Sequence, residues 1–204
     1  MANRRLDRQV EFLLECDKLK HVTRQSLLLN GERQENSAEH SWHLALMAVL
    51  LAEHAKEAGV DLLRVIKIAL VHDLVEIDAG DTYIYDEEGA RDKAAREQAA
   101  ADRLFALLPP DQGAQLRALW DEYEAGQTAE ARFTGALDRL QPLLLNFHTQ
   151  GAQWRKHGVT VDQVLARNRG MEAGAPTLWA YAERLIRDAV ARGYLPQKPT
   201  DTQA

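Results

Sequence analysis

His72 and Asp73 stand at the end of an apolar stripe, where ionisable side chains are expected to be rare. In the helix that the sequence predicts from Asp61 to about Ile77, Leu62, Ile66, Ala69 and Leu70 recur at helical spacing. At 100° per residue, Asp73 falls about 20° from Leu62 on the same line. A carboxylate buried there is costly unless it is paired or binds a metal ion. Glu76 lies three residues beyond Asp73 and four beyond His72, so it neighbours both on a helix. One helix end thus directs an imidazole and two carboxylates inward.

Two other helices carry a similar signal. His40 begins the stripe of Leu44, Met47, Ala48 and Leu51. A lone histidine there reads most simply as a satisfied core residue; beside His72 and Asp73 it becomes a second candidate ligand. From Thr128 to about His148, the wide apolar arc of Phe133, Ala136, Leu137, Leu140, Leu143, Leu144 and Leu145 predicts a central helix covered on several sides. Asp138 sits at the edge of that arc, and alone it reads as a surface residue paired with Arg132 or Arg139. Pro142, four residues on, has no N–H for the carbonyl of Asp138, so a kink is expected there. Two His and two Asp suit one divalent ion such as Mn²⁺, Co²⁺, Fe²⁺, Ni²⁺ or Zn²⁺, whereas Ca²⁺ takes an all-oxygen cage. With four protein ligands, such an ion keeps positions for water and substrate, and water on a metal ion is a nucleophile near neutral pH.

The elements that must position these residues are helical. Ala, Leu, Glu, Arg and Gln are abundant and aromatic residues make up 6% of the chain, so an all-α fold is expected. With 204 residues, 46% of them hydrophobic, the chain suits one domain, 1–195, with a substantial core. Residues 196–204 are polar and read as a disordered tail. Helices are expected over Leu6–Lys20, Ser37–Ala58, Asp61–Ile77, Asp92–Leu108, Asp111–Ala125, Thr128–His148, Thr160–Asn168 and Pro176–Arg192. Val22–Asn36 reads as irregular around an Asn30-Gly31 turn, and Tyr83–Gly89 as a loop.

Bulk properties exclude several classes. A net charge of −6 argues against nucleic-acid polymers, which need clustered Lys and Arg, and leaves a small anionic substrate open. Cys16 is the only cysteine, as in a reducing compartment. The charged N-terminal stretch has no signal-peptide core, and no apolar run approaches the roughly 20 residues of a membrane span. A cytoplasmic protein is expected.

The order His40, His72-Asp73, Asp138 resembles the H…HD…D signature of the HD-domain phosphohydrolases. Longer strings are similar to the 5′-deoxynucleotidase branch: Ser37-Ala38-Glu39-His40-Ser41, His72-Asp73-Leu74-Val75-Glu76 with Ala79-Gly80-Asp81, Glu122-Tyr123-Glu124, Glu130-Ala131-Arg132-Phe133 and Leu137-Asp138-Arg139-Leu140. The similarity runs over roughly residues 10 to 190. It implies a helical HD bundle, one divalent ion, a homodimer, and hydrolysis of nucleoside 5′-monophosphates. His40, His72, Asp73 and Asp138 match the metal ligands, and Glu76 and Asp81 match two acidic residues beside the phosphate. Arg24 resembles an arginine that orients the phosphate. Where relatives often carry a tryptophan near that arginine, Gln25 follows here, which bears on sugar selectivity.

The resemblance therefore implies Glu76, Asp81 and Arg24 as catalytic residues. The substrate is expected against Arg24, Gln25, His40, Asp73, Asp81, Thr82, Tyr83, Ile84 and Asp138. Alternatives are an HD hydrolase for another phosphorylated nucleotide, or a metal-stabilised binding protein without turnover. A scaffold needs the four ligands but not Glu76, Asp81 and Arg24. Lys93, Arg96 and Glu97 read as a solvated charged face, although the resemblance implies that this region is near the pocket.

Overall fold

The computed structural model describes residues 4–197. Of the expected tail, 198–204 lies outside the described residues. Its first residue is held: the Pro196 carbonyl accepts a hydrogen bond from Val161 N.

Among the described residues the chain is helical apart from two short strands. Helix α1 (Arg4–Cys16) leads through a 3₁₀ turn (Asp17–His21) into strands β1 (Thr23–Leu27) and β2 (Gln34–Asn36). Then come α2 (Ser37–Leu51), α3 (Leu62–Val71), α4 (Glu76–Ala79), α5 (Lys93–Phe105) and α6 (Pro110–Ala125). The long α7 (Ala129–His148) is followed by α8 (Ala152–Lys156), α9 (Val161–Asn168), α10 (Met171–Gly174) and α11 (Pro176–Ala191).

Local chemistry sets the boundaries that matter for the site. Asn36 caps α2: its side chain accepts from Glu39 N at 2.9 Å, and Glu39 accepts from Asn36 N at 3.2 Å. Thr128 accepts from Ala131 N at 3.1 Å to start α7. Gly126, left-handed at φ 61°, ends α6. Helix α7 is the axis of the larger core: Phe133, Ala136, Leu137, Leu140 and Leu143 are buried against residues of α2, α3 and α11. A second core joins Phe12, Ile68, Leu104, Phe105 and Trp120.

Three expectations are corrected. The stretch Val22–Asn36 is an antiparallel hairpin, not irregular chain. Its strands, TRQSL and QEN, lack the alternation that marks a strand in sequence, and the turn falls at Gly31, φ 73°. The helix from Asp61 stops at Val71. Beyond it Leu74 N bonds Val71 O and Glu76 N bonds Asp73 O, i→i+3 bonds that advance the chain about 120° per residue rather than 100°. His72 and Asp73 thus lie in a tightened turn, not on a straight stripe, and Leu70, placed on that stripe, is exposed. The short helices α8 and α10 were not expected from the sequence.

Helix α10 crosses α7 at a glycine. A Cβ at Gly174 would lie 2.0 Å from the Arg132 carbonyl oxygen. Gly174→Ala is therefore expected to push α10 off α7, at a cost of about 2–3 kcal/mol. Thermal melting checks this, with a Tm drop of roughly 5–10 °C expected at this chain length.

Candidate metal centre

Three elements bring the ionisable groups to one point. His40 enters from the first turn of α2, His72 and Asp73 from the turn after α3, and Asp138 from α7. His40 Nε2 lies 2.9 Å from Asp138 Oδ1 and 3.9 Å from Asp73 Oδ2. His72 Nε2 lies 3.1 Å from Asp73 Oδ1 and 3.9 Å from Asp138 Oδ1. Ligand atoms of His40, His72 and Asp73 all fall within 4.8 Å of one another, and all three residues are buried. Asp138 is paired with neither Arg132 nor Arg139; its second oxygen accepts from Tyr123 Oη at 2.8 Å.

The donor set fits a divalent cation. His72 Nδ1 spends its proton on the Ala69 carbonyl, 2.9 Å away. Its Nε2 is left as a buried lone pair with no hydrogen-bond partner. Asp73 Oδ1, although 3.1 Å away, makes no hydrogen bond of good direction to it. A lone pair facing carboxylate oxygens is unfavourable unless a cation lies between them. Charge agrees: Asp73, Glu76, Asp81 and Asp138 all lie within 4.0 Å of one guanidinium, that of Arg24.

Crowding moves the protons. Burial pushes the Glu76 carboxyl well above its usual range, and the charge of Asp73 adds to this. Burial likewise raises Asp81, against the opposing charge of Arg24. For Asp138, burial is outweighed by the hydrogen bond from His40 and by nearby His72, which hold it well below the ordinary value. At His40, burial and Arg24 oppose protonation, but Asp138, 2.9 Å from Nε2, and the nearby carboxylates of Glu35 and Asp73 win and raise it to about 9.

Arg24 comes from β1, so the unexpected hairpin is what delivers it. Its Nη1 donates to Asp73 Oδ2 at 2.8 Å, and its Nε is buried without a partner. Glu76 accepts from Ser37 Oγ at 2.6 Å. A cavity of about 290 Å³ opens over these groups, and Gln25, Thr82, Tyr83 and Ile84 line it together with Arg24, Asp73, Asp81 and Asp138. His40 does not line it. Wholly buried, it stands behind Asp73 and Asp138, so the geometry does not meet the expectation of a direct substrate contact.

Several residues escaped the sequence reading. Lys93 and Glu97 line the cavity, with Glu97 buried and Lys93 Nζ 2.9 Å from it. Arg96 holds the Ala79 carbonyl, Thr82 Oγ1 at 3.1 Å and the Gly89 carbonyl at 2.9 Å, pinning the loop that carries Asp81. The solvated-face reading of this trio is corrected. His157 packs against Tyr83 with centroids 4.8 Å apart and the rings tilted by 47°, and its Nε2 lies 3.2 Å from Gln25 Oε1. Glu35 and Gln141 are buried behind His40. Gln141, three residues from Asp138, was open to helical-spacing argument; the others are joined only by tertiary contact.

Comparison with known proteins agrees with this geometry. The HD domain family model matches residues 16–179. The chain is 32% identical to 5′-deoxynucleotidase HDDC2 of Bos taurus over 71% of this chain and 69% of that protein. Against 5′-deoxynucleotidase HDDC2 of Homo sapiens it is 33% identical, over 66% and 65% of the two chains, so the matches span about two thirds of these relatives. The crystal structure of a predicted metal-dependent phosphohydrolase from Magnetospirillum magnetotacticum MS-1 superimposes with a TM-score of 0.90 at 56% identity, covering 94% of this chain and 96% of that one. With a family match across most of its length, the chain belongs to the HD-domain family.

Proposed function

We propose that this chain is a metal-dependent phosphomonoester hydrolase that cleaves deoxynucleoside 5′-monophosphates to nucleoside and phosphate. The observation that carries the reading is the unpartnered Nε2 of His72, buried among carboxylates at the floor of a cavity that also holds Arg24. The names of the HDDC2 relatives point to the same substrate class. His40, His72, Asp73 and Asp138 would hold the ion, one of Co²⁺, Mn²⁺, Fe²⁺, Ni²⁺ or Zn²⁺ by the donor set. When bound, the ion neutralises phosphate charge and makes hydroxide available near neutral pH.

The chain's own residues supply the rest. Arg24 offers a planar fork for two phosphate oxygens, exchanging one carboxylate partner for the substrate. Glu76 and Asp81 flank the guanidinium and divide the proton work: one takes the proton of the attacking water, the other gives one to the departing 5′-oxygen as the P–O bond breaks. Ser37 fixes the Glu76 carboxyl in place. Catalysis is then mostly positioning and charge stabilisation. Phosphate release from a panel of deoxynucleoside mono- and triphosphates and ribonucleotides, with the protein stripped and reloaded with each ion, tests this. Deoxynucleoside monophosphates are expected to turn over only with metal; release from triphosphates alone would reject the reading.

Sugar choice follows from Gln25. Its Oε1 faces Gln34 Nε2 at 3.3 Å and His157 Nε2 at 3.2 Å, leaving its amide N–H groups for a ligand. Such a side chain can donate to a 2′-hydroxyl instead of excluding it. The ratio of kcat/KM for dAMP over AMP is expected to stay within about 10². A ratio of several orders of magnitude would move sugar exclusion to another wall residue, Tyr83 or Ile84.

The single free cysteine is in keeping with a cytoplasmic location; among the described residues no helix is long and apolar enough to cross a membrane. A homodimer through α2 completes the reading. This helix buries Leu44, Met47 and Ala48 on one side and exposes Trp42, Leu46, Val49 and Leu50 on the other. Leu63 and Leu70 are exposed on α3, which packs against it. A helix apolar all round is a buried helix, and a second copy would cover this face. Sedimentation is expected to give a dimer at micromolar concentration, and Trp42→Glu with Leu50→Glu a monomer; a monomeric parent overturns the assignment.

A further inference from the structure

Behind the candidate ligands lies a buried polar chain that the reaction does not use. His40, from α2, is fully buried. Its Nδ1, the nitrogen facing away from Asp73 and Asp138, lies 3.1 Å from Gln141 Oε1 and 3.7 Å from Glu35 Oε2. Gln141 Nε2 donates to Glu35 Oε1 at 2.6 Å and lies 3.4 Å from His43 Nδ1. Gln141 is 0% and Glu35 2% exposed, and Glu35 Oε2 has no hydrogen-bond partner. Three elements, α2, α7 and β2, therefore converge on one imidazole edge.

We infer that Glu35 and Gln141 are positioning residues that set the tautomer of His40 for metal binding; this rests on the reading of His40 as a ligand. The logic is one of donors and acceptors. A carboxylate only accepts, so Glu35 forces the amide of Gln141 to present its NH₂ group to it. The amide oxygen then faces His40 and also only accepts. Nδ1 must therefore carry the proton, which leaves Nε2 free to offer its lone pair on the side of Asp73 and Asp138. The Gln141 amide alone would not suffice, because turned over it would donate to Nδ1 and favour the tautomer with hydrogen on Nε2. Glu35 removes that option. Helix α7 thereby faces both edges of the imidazole, with Asp138 Oδ1 2.9 Å from Nε2, on the side where an ion would lie between them, and Gln141, three residues on, at Nδ1. A buried carboxylate with an unpartnered oxygen is costly for stability alone, so packing gives no reason for it.

The test swaps acceptor and donor at nearly constant shape. Glu35→Gln lets the amide of Gln141 turn over. Zn²⁺ and Co²⁺ affinities, measured by competition with a chromogenic chelator, are expected to fall roughly 10–100-fold. The double variant Glu35→Gln, Gln141→Glu places the carboxylate directly against Nδ1 and is expected to restore affinity to within about threefold. Parental affinity in Glu35→Gln overturns the inference. So does failure of the double variant to restore binding while thermal melting shows it folded, since the loss would then come from packing. A parent that binds neither ion at micromolar concentration would instead remove the metal reading on which the inference rests.

Discussion

Asp73→Asn is expected to abolish metal binding and to lower kcat/KM at least about 10³-fold, roughly 4 kcal/mol of transition-state stabilisation. Asp73 is the residue most deeply shared by the site. One oxygen lies 3.1 Å from His72 Nε2, and the other accepts from Arg24 at 2.8 Å and lies 3.9 Å from His40 Nε2. The amide keeps the shape but removes the charge, and its NH₂ group is no metal ligand. Losing one partner of a buried ion pair ordinarily costs about 3–5 kcal/mol of stability. Here the cost is expected to be smaller, because Asp81 at 3.7 Å and Glu76 and Asp138 at 4.0 Å still face the guanidinium. The metal-free variant should therefore remain folded while its metal content falls from about one ion per chain towards none. Elemental analysis after gel filtration, beside thermal melting, measures both. Full metal occupancy in Asp73→Asn would remove Asp73 from the ligand set.

Glu76→Gln is expected to keep fold and metal but lose roughly 10²-fold or more in kcat, the size of a lost proton-transfer step. Glu76 begins α4, one turn beyond Asp73, buried with one oxygen on Ser37 Oγ and the other 4.0 Å from Arg24. Like Asp138 it falls outside the cluster of His40, His72 and Asp73, but Asp138 lies 2.9 Å from His40 Nε2, whereas Glu76 faces Ser37 and Arg24. Glutamine retains an acceptor for Ser37, so a structural role would leave turnover almost unchanged, whereas a proton carrier cannot be replaced by an amide. Comparing kcat with metal content separates the cases. Lost metal would make Glu76 a ligand, and unchanged kcat would make it a structural partner of Ser37.

Sequence periodicity singled out His40 and Asp73 by projecting them onto apolar stripes, where desolvation makes an ionisable side chain conspicuous, although the helix that carries the second stripe ends at Val71; Asp138 joined them only through the resemblance. The long helices were legible for the same reason, together with explicit caps at Asn36, Thr128 and Gly126. Motif order alone named the HD family, since the strings around these residues combine identity with spacing. What the sequence could not carry was every relation made between distant segments. The hairpin that brings Arg24 and Glu35 to opposite sides of the site pairs Thr23 with Asn36 through strands with no alternating pattern. The turn that re-aims Asp73 depends on i→i+3 bonds that no residue type in His72–Val75 dictates. Lys93, Arg96 and Glu97 looked solvated because their own helix has a polar face there; the loop from Gly80 to Gly89 folds over it. Periodicity reports which face of an element is apolar, and it holds no information about what packs against a polar one. The fold class was therefore decided locally, by burial and capping, and the candidate ligands by motif order. The cavity, the charge balance around Arg24 and the clamp on His40 were decided by the tertiary structure, because each depends on groups as far apart as Glu35 and Gln141 meeting where water is excluded.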